Sequence, residues 1–266
     1  MRLVALLATV VLGACAPAVK RSPPSIHELT PAPGGDSSAE ELLQQSEAAW
    51  ERRAEPERAR AAEELALQAA AADTSRVDAL AAAIRAKSFR IEREKDRTAR
   101  EQLALSAVLI GQVCRQRAPK APLCAYWLAV ALGQATRERP TTANNTLPTI
   151  VILLREAIAG DEQIDRAGPH RVLALLLARV PAWPIGPGDA EAALVEARKA
   201  VSLFADFAPN QLALADAQAK TGDAAGALAS YGRAHELALV ASRDGDPDAE
   251  RWQREASTGI GLGLHP

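Results

Sequence analysis

"PGDAEAALVEARKAV" runs from Pro187 to Val201, and "TGDAAGALASYGRAH" runs from Thr221 to His235. Laid over one another, Gly188 meets Gly222, Asp189 meets Asp223, Ala193 meets Ala227 and Ala200 meets Ala234. Each stretch begins with Gly-Asp and continues into an alanine-spaced helix. Gly222 follows Gly188 by 34 residues, and that offset is the period of a helix–turn–helix repeat. The competing explanation is coincidence within an alanine-rich helical bundle.

The composition around the two stretches suits closely packed helices. The chain has 266 residues, 48% of them hydrophobic but only 3% aromatic. Small apolar side chains favour helices in close contact over a sandwich or barrel built on valine, tyrosine and phenylalanine. No segment alternates with period two, and no Asn-Gly hairpin signal occurs. Helices are predicted over 40–53, 56–72, 77–93, 96–117, 123–136, 148–159, from Arg171 through the following leucine run, then over 190–204, 209–220, 224–241 and 247–257. A glycine-rich tail, 258–266, is expected to be flexible. The formal net charge of −2 supplies no field that would draw a nucleic acid.

The 34-residue register assigns tasks to single positions. In the last repeat Leu214 and Ala215 take the large and small places of the first helix. Gly222 takes the turn, where a positive φ ends a helix without a Cβ clash. Ala227, Tyr231 and Ala234 take the small, aromatic and small places of the second helix. Small residues let helix axes approach to the low end of the usual spacing, about 8–10 Å. The preceding repeat keeps Gly188, Ala193 and Ala200, with Ala197 in the aromatic slot. Earlier repeats, near Asp73, are degenerate. The expected fold is all-α: stacked antiparallel helix pairs in a tetratricopeptide-like α-solenoid, or superhelix, over 39–257.

The N-terminus reads "MRLVALLATVVLGAC". Arg2 precedes an apolar run, Leu3 to Leu12, which is too short for the bilayer's apolar core of about 30 Å. It reads as an export signal, 1–14, and not as a membrane span. Leu12-Gly13-Ala14-Cys15 resembles the lipobox of bacterial lipoproteins. That resemblance implies cleavage before Cys15 and acylation of it, while a plain signal peptide is the alternative. Ala16, a non-aspartate, implies sorting to the outer membrane by the same resemblance, with the body facing the periplasm. Residues 15–38 are rich in Pro, Gly and Ser and are expected to form a flexible tether.

Cys114 and Cys124 flank "RQRAPKAPL". In an oxidising compartment a disulfide would staple the corner between two helices; a pair of unbonded buried cysteines is the alternative. Metal binding lacks a nearby histidine or third cysteine.

"AYWLAVALG" (Ala125 to Gly133) and "GPHRVLALLLARVPAWPIGPGDAEAALVEARKAV" (Gly168 to Val201) resemble segments of the periplasmic T component of tripartite ATP-independent periplasmic (TRAP) transporters. The resemblance covers roughly 121–239. It implies a lipid-anchored helical repeat protein that docks a periplasmic solute-binding protein or an apolar small ligand. The chain departs from the family in having few aromatics to line a greasy pore. A generic tetratricopeptide scaffold for envelope proteins is the other reading. Homo-oligomerisation is compatible with both.

No nucleophilic or acid–base constellation stands out, so the chain reads as a binding protein and not an enzyme. No cofactor or metal is called for: the histidines lack ligand spacing, and no phosphate loop with its lysine occurs. His170 and Arg171 read as surface or capping residues, with Arg171 kept as a contact candidate. The pairs Glu40-Glu41 and Glu63-Glu64 read as solvated surface. Tyr126, Trp127 and Trp183 are candidates for a groove or for packing between repeats. Asn144 and Asn145, in a predicted loop, are candidates for a partner's backbone or for turn formation.

Overall fold

The computed structural model describes residues 37–263. The predicted leader, Cys15, the tether through residue 36 and residues 264–266 lie outside the described residues. Within them stand eleven α-helices: α1 Ala39–Glu51, α2 Arg58–Ala72, α3 Val77–Ile91, α4 Arg97–Arg117, α5 Pro122–Glu138, α6 Ala143–Gly160, α7 Ile164–Arg179, α8 Ala190–Leu203, α9 Ala208–Lys220, α10 Ala224–Arg243 and α11 Ala249–Gly263. There is no strand among the described residues, only an isolated bridge between Ala182 and Gly188. No described helix is long and apolar enough to cross a membrane.

Neighbouring helices pack in sequence, and α7 also packs on α9, as α3 does on α5. That second-neighbour contact stacks pairs into a solenoid. The alanines make it compact. Ala193, Ala197, Ala200, Ala215 and Ala234 are fully buried, and Ala227 is nearly so. The fold is therefore an all-α, tetratricopeptide-like solenoid. Most of the buried apolar residues form one core from α1 to α8 that reaches Ala217 of α9. A second core joins Phe207, Ala208 and Leu212 to Ala234, Ala238, Ala249, Trp252 and Ala256. The two ends of α9 thus belong to different cores.

Local chemistry explains the boundaries. Ser38 starts α1 with a capping box: its Oγ accepts from Glu41 N at 3.2 Å, and Glu41 Oε2 accepts from Ser38 N at 2.9 Å. The shared Gly-Asp phrase is in part a capping phrase. Asp189 Oδ1 accepts from Ala192 N at 3.0 Å, and Asp223 Oδ1 accepts from Gly226 N at 2.9 Å; each satisfies an otherwise orphaned N–H of the next helix. The glycines before them differ. Gly222 has φ +85° in open space, whereas a Cβ on Gly188 would run into the carbonyl oxygens of Val180 and Pro181. Cys114 and Cys124, both fully buried, are joined as a disulfide across the α4–α5 corner, with Cα atoms 5.3 Å apart.

Four expectations are corrected. The tail expected from 258 is helical through Gly263, because Trp252, Ala256 and Gly259 line one buried face; a Cβ on Gly259 would overlap the Tyr231 ring. Asn144 and Asn145 lie in the first turns of α6, not a loop: a 3-10 turn over Pro140–Thr142 leads into the helix, and Pro148 sits inside it. The missing N–H of Pro148 falls on a solvent-exposed turn, where water can satisfy the freed carbonyl. Glu63 is buried and ion-paired with Lys87 and Arg90 of α3, so it is not solvated surface. His170 and Arg171 are also buried. His170 sits between Glu196, 2.5 Å from Nδ1, and Glu162, 3.3 Å from Nε2.

Candidate functional site

At the start of α7 three consecutive non-glycine residues take left-handed backbone angles: Asp165 (φ 50°), Arg166 (φ 54°) and Ala167 (φ 63°). Each such residue costs roughly 1–2 kcal/mol, so surrounding contacts must hold the turn in place. They do so through buried polar groups. Tyr126, 2% exposed, donates its hydroxyl to Asp165 Oδ2 at 2.5 Å. Arg171 Nη2 donates to the same oxygen at 2.6 Å, and its Nη1 reaches the carbonyls of Asp165 and Arg166, each at 3.1 Å. Arg171 Nη1 also donates to Asn210 Oδ1 at 3.1 Å. Asn210, fully buried, turns its Nδ2 to the carbonyls of Arg166, Ala200 and Phe204 at 3.2, 3.1 and 3.1 Å. One amide therefore ties α7 to the end of α8 and the start of α9.

Burial raises the pKa of the Tyr126 hydroxyl well above its ordinary value, and the Asp165 carboxylate adds to the shift while Arg171 opposes it. Tyr126 is accordingly a neutral donor at physiological pH.

The strained turn has a visible product. It presents the Arg166 guanidinium over the ring of Phe207 at 3.7 Å, a cation–π distance. Phe207 in turn meets Trp252 edge-on at 5.5 Å. Partial desolvation holds the Arg166 pKa below the ordinary guanidinium value, with Asp165 and Asp246 opposing and Arg171 and Arg53 reinforcing.

A matching arrangement stands at the other end of the chain. Trp50 and Phe89 meet edge-on at 5.7 Å. Arg53 lies 4.6 Å over Trp50, Arg85 lies 4.4 Å over it, and Arg93 lies 3.3 Å over Phe89. Between the two arrangements sits the α10–α11 turn, Asp244–Asp248. Gly245, at φ +80°, closes α10, and Asp246 N returns to Ala241 O at 2.9 Å, the terminal bond of a Schellman motif. Arg53 Nη2 donates to Asp246 Oδ1 at 3.3 Å, and Arg93 Nη2 donates to Asp248 Oδ1 at 3.1 Å and Pro247 O at 2.9 Å. Among the described residues the first and last helices, α1 and α11, make no packing contact of their own. The solenoid thus curls until its ends meet, and arginines on a turn join them.

The sequence candidates fall into separate places. Tyr126 and Arg171 come together through Asp165, inside the protein and not on a groove. Trp127 is buried and packs against Tyr126 at 5.0 Å. Asn144 and Asn145 are exposed on α6. Trp183 is 86% exposed and Ile185 73%, on the loop between α7 and α8. Tyr231 donates to Asp216 Oδ1 at 2.7 Å and fills the space toward α11. Sequence reasoning missed Asp165, Asn210, Phe207 and the Arg53–Arg93–Arg166 set. The spacing of aromatics and arginines at the ends of α1 and α3, Trp50 to Arg53 and Phe89 to Arg93, was the one available signal. The described residues hold no group of three or more His, Cys, Asp or Glu placed to bind a metal.

No protein-family model matches the chain, and a search of curated proteins returns no match. Among solved structures the chain is similar to the crystal structure of a thermophilic TPR protein from Thermus thermophilus. The two share 18% identity, and the alignment covers 84% of this chain and 99% of that one with a TM-score of 0.60. The likeness is one of fold and places the chain among tetratricopeptide-like helical-repeat structures.

Proposed function

We infer that the chain is a non-catalytic helical-repeat scaffold that binds other proteins. The observation that carries the reading is the curled solenoid itself. Its ends meet around a surface of guanidinium groups stacked on aromatic rings, a residue mix favoured at protein interfaces. The exposed Trp183 and Ile185 add a second, apolar contact point; large exposed apolar groups of this kind commonly mark interaction sites.

The finer reading is a lipoprotein, acylated at Cys15 and tethered to the outer membrane on its periplasmic side. There it would serve as the T-type accessory subunit of a TRAP-like system, docking a solute-binding protein. The residue resemblance over 121–239 and the lipobox-like start support this placement. Arginines and aspartates at the meeting point favour a protein over an apolar small ligand, and they equally suit a general envelope scaffold. Affinity capture from detergent-solubilised envelope tests the reading. A solute-binding protein co-purifying with the chain, and lost with Trp183→Ala, is the result expected of the T-type role. Retrieval of other envelope proteins alone would assign the general scaffold. Recovery of no protein by the acylated chain would contradict both. Cys15→Ser is expected to leave the membrane fraction, and continued sedimentation with membranes would argue against acylation.

A further inference from the structure

We propose that Arg53, Arg93 and Arg166 form a binding site for an acidic peptide segment, and that the chain's own Asp244–Asp248 turn fills it in the closed ring. The proposal rests on the scaffold reading and names the chemistry of the partner. Three observations lead to it. The guanidinium groups are held ready: Arg53 over Trp50, Arg93 over Phe89 and Arg166 over Phe207, at 4.6, 3.3 and 3.7 Å. A stacked guanidinium keeps its donor edges free for carboxylates.

The second observation is that the turn satisfies these arginines incompletely. Arg166 has no ion pair or side-chain hydrogen bond among the described residues, though it lies close enough to Asp246 to feel its charge. Arg53 makes one long contact, at 3.3 Å, and its Nε is buried without an acceptor. Asp248 is shared between Arg93 and Arg251, at 3.1 and 3.4 Å. Positive charge remains in excess of the carboxylates that meet it. A partner segment with three or more carboxylates would pair what the turn leaves unpaired.

The third observation concerns displacement. The turn is held to the N-terminal helices by side-chain contacts alone, with no helix packing behind them. A competing acidic segment therefore needs to break only charge-assisted bonds to enter, and the strained Asp165–Ala167 turn keeps Arg166 in place while it does so. The turn lowers the apparent affinity for such a segment by the fraction of molecules in which it occupies the arginines.

The test uses the full chain carrying Cys15→Ser and a fluorescent peptide reproducing residues 244–248, read by anisotropy at low ionic strength. The control peptide has asparagine for each aspartate. The Asp246→Asn/Asp248→Asn chain is expected to bind the acidic peptide about tenfold or more tighter than the unaltered chain, because the internal competitor is gone. Adding Arg166→Gln to that chain should abolish the gain while leaving the far-UV circular dichroism unchanged and lowering the melting temperature only by the loss of the one stacking contact on Phe207, since Arg166 makes no ion pair or side-chain hydrogen bond among the described residues. Added salt should weaken the interaction, and the asparagine peptide should not bind. Equal binding by the turn variant and the unaltered chain would overturn the proposal, as would a gain that survives Arg166→Gln. Preferential binding of anionic lipid vesicles or a short oligonucleotide at matched charge would overturn the assignment to an acidic peptide. Capture of an envelope partner by a chain that fails the peptide test would leave the scaffold reading standing and remove this one.

Discussion

Asn210 joins three helices through one amide: its removal would take Nδ2 from the carbonyls of Arg166, Ala200 and Phe204, each of which keeps one other donor, and Oδ1 from Arg171. Four hydrogen bonds at a buried residue are lost, so Asn210→Ala is expected to lower stability by about 3 kcal/mol in urea unfolding; a loss within experimental error would show that the network is not what holds the turn. Tyr126 supports the same turn from the other side, and its raised pKa fixes a direction with pH. The folded state favours the protonated hydroxyl. Its contribution is therefore complete below the unfolded tyrosine value of about 10 and is lost as pH rises through the folded value. Unfolding free energy measured on the alkaline side should fall from about pH 10 upward, and Tyr126→Phe should flatten that fall. An unchanged alkaline limb in the variant would separate Tyr126 from it. Little of this is legible in the sequence. Tyr126 and Arg171 stand out as residue types, but Asp165 and Asn210 look like ordinary loop and helix-start residues. What unites them is a left-handed turn made without glycine, and no local pattern announces such a turn.

Short-range periodicity makes the helices readable. The alanine ladder of α8 to α10 depends only on spacing along the chain, and the structure buries those methyl groups as the register requires. The same register misleads where equal letters do unequal work. Gly222 is present for its φ of +85°, and Gly188 for the carbonyl oxygens of Val180 and Pro181 that a Cβ would strike. The two positions should therefore respond differently to alanine. Gly222→Ala is expected to cost about 1 kcal/mol, the left-handed penalty alone. Gly188→Ala is expected to cost about 2–3 kcal/mol, since neighbouring backbone must shift. Equal losses in thermal unfolding would mean that the two turns are equivalent after all. The helical tail escapes a sequence reading for a related reason. "TGIGLG" carries glycines that look like flexibility, yet Gly259 is small because Tyr231, far away in sequence, lies against it.

At the scale of the whole molecule, curvature accumulates over eleven described helices until Arg53 and Arg93 meet the Asp244–Asp248 turn. No sequence pattern could give this closure, because it is the sum of small rotations between successive pairs. Ion pairs of partly exposed groups are each worth roughly 0.2–1 kcal/mol, so the joint is far weaker than the alanine-packed body. It should respond to ionic strength under conditions that leave the helices intact. Closure is what seats the turn on Arg53 and Arg93, and an acidic partner segment would compete with it for them. Spin labels at Glu51→Cys and Ser242→Cys, in the Cys15→Ser chain, measure it directly by double electron–electron resonance. A short, narrow distance distribution is expected at low salt, widening and lengthening in high salt and in the Asp246→Asn/Asp248→Asn chain. A broad distribution at low salt, indifferent to both changes, would contradict the closed ring.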